Sequence, residues 1–250
     1  MEWDRYDLVV IRSCWDYHHK IEGFERWTRQ MEAAGVRVWN PPALLRWNAR
    51  KTYLRDLARR GVPIVPTRFI EPSDEPALDA VLEQAGWPEA VVKPVVSASA
   101  HETWRAARGR REDAERFTRL AASVPVMVQP FVREVEREGE WSLCFFGGRF
   151  SHAVIKRPRA GDFRVQPDHG GVVQLSSASE SLVAEAGAAL EAAGQPTVYA
   201  RVDGYVIADV FHLMELELLE PSLFLGLTAE APARFASAIT DALAGGRSQE

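Results

Sequence analysis

Four charged side chains near the end of the chain are spaced so that they could act on one substrate. In ARVDGYVIADVFHLMELELLEP (200–221), Arg201 and Asp203 lie two residues apart, as do Glu215 and Glu217. Residues two apart on a β-strand share a face. A three-residue turn centred on Asp209 would place Asp203 opposite Glu215 and Arg201 opposite Glu217. Val202, Met214, Leu216 and Leu218 would then be left for a core on the other face. A two-residue turn at Ala208-Asp209 would split the charges between the two faces. Three carboxylates in one place repel unless a cation neutralises them, and such oxygen clusters suit Mg²⁺ carrying phosphate oxygens. The competing arrangement is a solvent-facing sheet of alternating charge. Two lysines add to the first reading. Lys93 sits inside the apolar run VVKP, where an ammonium needs a partner. Lys51, early in NARKTYLRDLARRGVPIVPT, reads on its own as a solvated helix charge.

These residues need a scaffold that brings distant segments together. The run YDLVVIRS (6–13) predicts a buried strand, followed by a polar-aromatic loop over 14–19, a helix over 22–34 closed by Gly35, a strand VRVW and a stop at NPP. Two strands and a helix make one βαβ unit, too little for an α/β domain. The chain is therefore expected to begin partway through a domain or to borrow strands. Asn48 is expected to cap a helix over 49–60, with Lys51 in its first turn and Gly61 as its stop. VPIVPT, a helix near 75–85, AVVKPVV, a helix over 111–122 and VPVMVQPFV then alternate strand with helix. From Glu140 the pattern turns antiparallel, with EWSLCFF and RFSHAVIK flanking a two-residue Gly147-Gly148 turn. The polar stretch 157–171 is too long for a tight turn and reads as a functional loop. A helix over 181–193, the paired strands TVYARVDGYVI and VFHLMELELL, and a helix over 233–244 complete the chain.

Composition narrows the chemistry. The 250 residues, 46% apolar and 26% charged, suffice for one large domain or two modest ones of ordinary globular character. A net charge of -5 with no long Lys/Arg run disfavours nucleic acid as a partner. Cys14 and Cys144 show neither CxxC nor Cys/His spacing, which fits a reducing cytoplasm and excludes a disulfide framework. No stretch approaches the roughly 20 apolar residues of a membrane helix, and the first residues lack a signal-peptide layout. The histidines lack the i, i+4 spacing of a zinc helix, and His18-His19 reads as a surface pair. Neither a GxGxxG nor a Walker lysine loop is present. Arg12, Trp15, Asp16 and Tyr17 are candidates for substrate contact, because they flank the loop after the first strand, where α/β sheets place ligands.

Arg-x-Asp followed by Glu-x-Glu and a nearby Pro resembles the metal-binding end of the ATP-grasp superfamily, in which Arg-x-Asp and Glu-x-Asn-x-x-x-Pro hold magnesium ions on ATP. Glu217 stands where many members carry Asn, and either oxygen ligates a hard cation. The resemblance continues backward in the family's order. Lys51 matches the early helix lysine that reaches an ATP phosphate, Lys93 a second nucleotide lysine, and Ser97 opens the small-residue loop, through Ala100, that covers the phosphates. The segment 126–143 is similar to the adenine hinge: Gln129 and the backbone of Phe131 and Val132 would face adenine, and Glu140 the ribose hydroxyls. Lys156 resembles the cation closing the phosphate site, and Arg164 the substrate-loop arginine. The match runs from about Ala43 to Leu225. It is strongest toward the branch containing ribosomal-protein glutamate ligases, glutathione synthetases and the cyclo-ligase that closes D-cycloserine. RSCWDYHH and LMELELLEPSLF look most like the last group. Members carry a further strand and helix before the position of Tyr6, so the chain is expected to be N-terminally shortened.

The fold implied is α+β (α/β): an ATP-grasp fold whose two α+β lobes sandwich ATP, preceded by a partial parallel α/β domain. Residues 1–45, 46–131 and 132–250 would form the N-terminal, central and C-terminal parts. The activity implied is that of an ADP-forming ligase acting on a small carboxylate and an amine, with Mg²⁺ on Asp203, Glu215 and Glu217. Arg201, Lys156 and Arg164 would be its catalytic side chains. Activation as an acyl phosphate would precede attack by the amine. The alternatives are a kinase of the same superfamily acting on a hydroxyl, and a nucleotide-binding regulatory module without turnover. A homo-oligomer is allowed, and the oligomeric state is left open.

Overall fold

A computed structural model describes residues 2–165 and 167–245. Its first sheet is small: β1 (Val9–Val10) and β2 (Val38–Trp39) pair in parallel, linked by α1 (Ile21–Ala33). The apolar run beginning at Tyr6 predicts a longer strand. Only two of its residues find partners on β2, so only those two become strand. The unit draws its burial from the rest of the chain, with Ile11, Tyr17, Met31 and Val38 clustering with Leu45, Ala49 and Leu219. Buried Asn40 ties it in place, donating to the carbonyls of Tyr199 (2.9 Å) and Leu218 (2.7 Å) and accepting from the Val198 N–H (2.8 Å).

The single helix expected over 49–60 is instead two, α2 (Pro42–Asn48) and α3 (Tyr53–Arg59), with Lys51 in the break between them. Proline in the first turn starts α2 early. Asn48 therefore ends a helix rather than capping one, and its amide serves tertiary contacts, donating to the Leu216 carbonyl (2.7 Å) and accepting from the Leu218 N–H (2.9 Å). The Lys51 N–H bonds the Val95 carbonyl at 2.9 Å, which holds the break against the next sheet.

That sheet comprises β3 (Arg68–Ile70), β4 (Glu89–Pro94), β5 (Trp104–Ala107) and β6 (Val126–Pro130), in the order β3-β6-β4-β5. Strand-helix alternation in this block does not produce a parallel sheet, since every pairing is antiparallel. β5 is absent from the sequence reading because WRAA carries no β-branched residue. It forms through its neighbour: Arg105 grips Glu89 of β4 through both carboxylate oxygens (2.9 and 2.8 Å), and Trp104 is buried. Helices α4 (Leu78–Ala85) and α5 (Arg111–Ala121) cover one face, where Leu78, Leu82 and Phe117 pack on Val92, Val126 and Val128. The other face is left to Val91, Lys93 and Gln129.

A short helix α6 (Arg133–Glu138), too highly charged to announce itself, leads into the third sheet. This sheet comprises β7 (Glu140–Phe146), β8 (Arg149–Arg157), β9 (Val172–Ser176), β10 (Tyr199–Ile207) and β11 (Val210–Glu217), antiparallel in the order β11-β10-β7-β8-β9. Its edge strand β9 is also missing from the sequence reading. One face buries Leu143, Phe145, Val202 and Leu216 against α3 and α7 (Glu180–Glu191). On the other, α8 (Ala231–Gly245) covers Cys144, Phe146 and Tyr199 at one end and leaves the opposite end open.

The turn joining β10 and β11 is two residues long, not three. Ile207 pairs with Val210, and Ala208 and Asp209 both take positive φ (48° and 62°), as a type I′ hairpin requires. The charges nevertheless share a face, because a β-bulge corrects the register: Gly204 pairs with Leu213 but Asp203 pairs with Glu215, leaving Met214 as the extra residue. Met214 consequently leaves the core face expected for it and lines the cleft. Gly204 permits the bulge, since a Cβ there would lie 2.3 Å from the His212 carbonyl oxygen and 2.6 Å from the Phe211 ring.

Candidate active site

The open end of the five-stranded sheet faces the uncovered face of the four-stranded one across a cleft of about 500 Å³. Three segments far apart in the chain converge there. The break between α2 and α3 delivers Lys51, β4 delivers Lys93, and β7, β8, β10 and β11 deliver a checkerboard of charge. Cross-strand pairing places Glu140 beside Lys156, Ser142 beside Asp203, Asp203 beside Glu215 and Arg201 beside Glu217. These are same-face pairs of the kind that alternation along strands enforces.

Each cation except one is committed to a carboxylate. Arg201 chelates Asp203 (2.9 and 2.7 Å) and also bonds Glu217. Lys156 bridges Glu140 (2.5 Å) and Asp203 (3.2 Å), and Asp203 further accepts from Ser142 Oγ at 2.6 Å. Lys51 meets Glu215 at 2.5 Å and the Ser97 carbonyl at 2.9 Å, so it is a buried ion-pair partner and not the solvated helix charge its sequence suggests. Lys93 is the exception: it is buried on β4 and lines the cleft, yet among the described residues it makes no hydrogen bond or ion pair. Burial lowers its pKa, only partly offset by the Glu215 carboxylate.

The acids divide according to how well each is neutralised. Burial opposes ionisation of Asp203, but Arg201 and Lys156 overcome it and hold the pKa below the ordinary carboxylate range. Burial likewise opposes ionisation of Glu215, but Lys51 and Lys93 together outweigh it and lower its pKa. Glu217 is pushed up to about 8 by burial and by its neighbours Asp203 and Glu215, because Arg201 is shared with Asp203. Burial also raises Glu140 and Glu220. The site thus holds excess buried acid that a divalent cation would relieve, beside an unpaired cation that an anion would satisfy. The residues present fit a magnesium-nucleotide on both counts.

The remaining candidates fall into two groups. Ser97, Gln129, Phe131, Val132, Glu140 and Arg164 line the cleft, and so does Trp15. The Gln129 amide donates to Thr67 Oγ1 (3.0 Å), and the Phe131 ring lies under the Arg105 guanidinium, 3.7 Å from its centroid. Val65, Val135 and Val165 add an apolar floor. Arg164 is held by a two-pronged pair with Asp162 (2.8 and 3.1 Å), which lowers the Asp162 pKa through hydrogen bonding. By contrast Arg12, Asp16 and Tyr17 do not line the cleft. Arg12 lies over the rings of Tyr199 and Phe235 and donates to the Pro221 carbonyl (2.9 Å), fastening β1 to the C-terminal sheet. Tyr17 packs in the N-terminal core near Phe24. Sequence reasoning missed Met214, Phe163, Glu220 and Phe224, all of which line the cleft. Glycine at 204 beside the charged pairs is the one sequence signal that could have exposed the bulge behind Met214.

Two α+β lobes closing on a nucleotide-sized cleft, with lysines on one wall and an Arg/Asp/Glu hairpin on the other, define the ATP-grasp ligases. Comparison with known proteins agrees. Residues 1–40 match the family described as D-cycloserine synthetase DcsG, N-terminal domain. The chain is 35% identical over 257 aligned positions to cycloserine biosynthesis protein DcsG of Streptomyces lavendulae, covering 97% of this chain and 85% of that protein. The crystal structure of D-cycloserine synthetase DcsG superposes with a TM-score of 0.84 at 33% identity, over 97% of this chain and 86% of the other. The fold is also that of the D-alanine–D-alanine ligase from Bacillus anthracis complexed with ATP (TM-score 0.71, 15% identity, 98% and 82% coverage). The chain belongs to the DcsG family of ATP-grasp ligases. It is an ATP-dependent, ADP-forming carboxylate–amine ligase that works through an acyl phosphate.

Proposed function

We propose that the enzyme closes a small ring, activating the carboxylate of an amino-acid-derived substrate and joining it to an amine of the same molecule, as the cycloserine relatives suggest. The observation that carries the nucleotide site is Lys93, a largely buried lysine lining the cleft, whose ammonium has no partner among the described residues. A largely buried lysine whose ammonium opens onto a cleft favours an anion there, and a polyphosphate is the anion that fits a cleft of this size. Lys51 and the loop opening at Ser97 join it at the phosphates. Gln129 and the backbone of Phe131 and Val132 receive adenine, with Glu140 near the ribose. Asp203, Glu215 and Glu217 would hold Mg²⁺, which would supply charge neutralisation on the triphosphate.

Chemistry then falls to the cations of the five-stranded sheet. A carboxylate oxygen of the substrate attacks the γ-phosphorus and ADP leaves. Arg201 and Lys156, rigidly placed by their carboxylate partners, stabilise the charge on the transferring group. Arg164 orients the substrate carboxylate at the cleft mouth. The amine nitrogen next attacks the activated carbonyl carbon, a proton leaves the nitrogen and inorganic phosphate departs. Water must be kept out, and the apolar floor of Val65, Val135 and Val165 serves that end. The working units are residues 1–45, 46–131 and 132–250, with nucleotide between the last two and α3 packed across onto the C-terminal sheet. No helix of the described residues is long and apolar enough to cross a membrane, and two free cysteines suit a reducing cytoplasm.

The test is ADP and phosphate release against a panel of amino acids and their side-chain derivatives, with mass spectrometry of the products. Ring closure gives a product one water lighter than a single substrate. ADP release coupled only to joining two separate substrates would overturn the cyclising assignment.

A further inference from the structure

Outside the cleft, the fold assembles a group of side chains that no single segment announces. His18 and His19 lie on the short helical turn after β1, and His101 lies in the loop between β4 and β5. The three rings meet, with centroids 3.9 Å apart for His18 and His19, 5.2 Å for His18 and His101, and 5.0 Å for His19 and His101. One ring nitrogen from each falls within 4.8 Å of the others. Among the described residues this is the one set of three His, Cys, Asp or Glu side chains so converged, and the acidic trio of the cleft is not. The pair that reads in sequence as two surface histidines is completed by a third from a separate lobe.

The group is chemically prepared as well as close. His18 Nδ1 sits 3.0 Å from the Trp15 carbonyl oxygen. A carbonyl only accepts, so Nδ1 carries the proton, and in the neutral ring Nε2 is left with its lone pair. Fixing the distal nitrogen through a backbone carbonyl is how metal-binding histidines are commonly oriented. The loop carrying His101 holds an unusual backbone, since Ser99, Ala100 and Glu102 all take positive φ (50°, 55° and 51°). Such conformations persist where the surroundings impose them. The base of the same loop is pinned by the Lys51 bond to the Ser97 carbonyl.

We propose that His18, His19 and His101 form a binding site for a single transition-metal ion of the Zn²⁺ class, which ties the β4–β5 loop to the N-terminal segment. Three imidazole nitrogens with an open fourth position is a familiar tetrahedral zinc arrangement. An ion about 2.0–2.1 Å from each nitrogen needs them about 3.3 Å apart, against the present separations of up to 4.8 Å. Nitrogen ligands exclude Mg²⁺ as the occupant, so the site is chemically separate from the oxygen-lined cleft. Ser97, Ser99 and Ala100 of the same loop line that cleft, so an ion held at His101 restrains a wall of it.

The test uses the full chain stripped of metal and titrated with Co²⁺ and with Zn²⁺ in excess Mg²⁺. Tetrahedral imidazole-bound Co²⁺ absorbs strongly in the visible, whereas Co²⁺ on carboxylates does so weakly. One strongly absorbing ion per chain, displaced by Zn²⁺, is expected. His101→Ala and His19→Ala should each weaken it about 100-fold or more, and Asp203→Asn should leave it in place. Both histidines are exposed, and an unchanged melting shift with Mg-ATP in either variant confirms the fold. Hydrogen exchange over 97–103 should slow on adding Zn²⁺ to the unmodified chain and not to His101→Ala. Weak absorbance, or binding that survives both histidine variants, would overturn the site. Binding without slower exchange in the loop would overturn the tie.

Discussion

Replacing Gly204 by alanine tests the register on which the charged hairpin depends. The added methyl would sit 2.3 Å from the His212 carbonyl oxygen and 2.6 Å from two Phe211 ring carbons. Contact distances near 3.5–4 Å are normal, so something must move by about 1 Å. The carbonyl belongs to the paired strand and cannot yield without breaking the ladder, and Phe211 is buried in the core. Overpacking of this kind costs about 1–3 kcal/mol, and a backbone obstacle puts Gly204→Ala at the upper end, about 3 kcal/mol. In a chain of this size that lowers Tm by about 6–12 °C. Function should fall further than stability, because relieving the clash by losing the bulge slides Glu215 and Glu217 off Asp203 and Arg201 and turns them to the core face. Gly187→Ala is the matched control: it lies within α7, and its nearest neighbour would be a Phe145 ring carbon at 3.8 Å. That change should be neutral or stabilise by about 0.5–1 kcal/mol. Differential scanning fluorimetry, with and without Mg-ATP, measures both. A Gly204→Ala protein with unaltered Tm and an unaltered nucleotide shift would refute the bulge and the convergence built on it.

Lys93→Met removes a largely buried charge that has no partner among the described residues, so it should raise the Tm of the nucleotide-free protein by roughly 2–4 °C per kcal/mol recovered while abolishing the shift produced by Mg-ATP; a destabilised variant that still binds ATP would contradict its role. Glu215→Gln should weaken Mg-dependent ATP binding in calorimetry. Arg201→Met should instead strand Asp203 and Glu217, costing about 3–5 kcal/mol of stability, and drop turnover on the order of 10³-fold while folded protein still binds nucleotide. Equal effects of the two variants on binding and rate would remove the distinction between metal positioning and phosphoryl stabilisation. Glu217, with a folded pKa of about 8 against an ordinary value near 4.5, binds more protons folded than unfolded between those limits. Its contribution to stability is therefore complete at low pH and lost as pH rises through about 8, and Glu217→Gln should flatten that limb of a Tm-against-pH curve. Mg-ATP binding at pH 7 should release a proton from this group, measurable by calorimetry in buffers of different ionisation enthalpy; no buffer dependence would argue against Glu217 as a metal ligand.

Much of the chemistry was legible without coordinates. Residue type and a spacing of two determine that Arg201 with Asp203, and Glu215 with Glu217, can share a face, since alternation is a property of any strand. The glycine pair at 147–148 determines its turn, because only residues tolerant of positive φ close a two-residue hairpin there. A lysine inside VVKP announces a buried charge by composition alone. Local pattern could not say which strands pair with which. β5 lacks any β-branched residue and β9 is a short edge strand following a long polar loop; each is defined by the partner that β4 or β8 offers it. Lys51 looks like a surface charge until the break between α2 and α3 turns it onto Glu215, and that break depends on Asn48 and the Lys51 N–H finding partners in distant strands. Arg12 and Tyr17 sit where α/β ligands bind, yet packing against the C-terminal sheet and α1 claims them for structure. The hairpin is the sharpest case: its two-residue turn by itself would have scattered the charges. A bulge at Gly204, where Phe211 and the His212 carbonyl leave no room for a side chain, brings them back to one face.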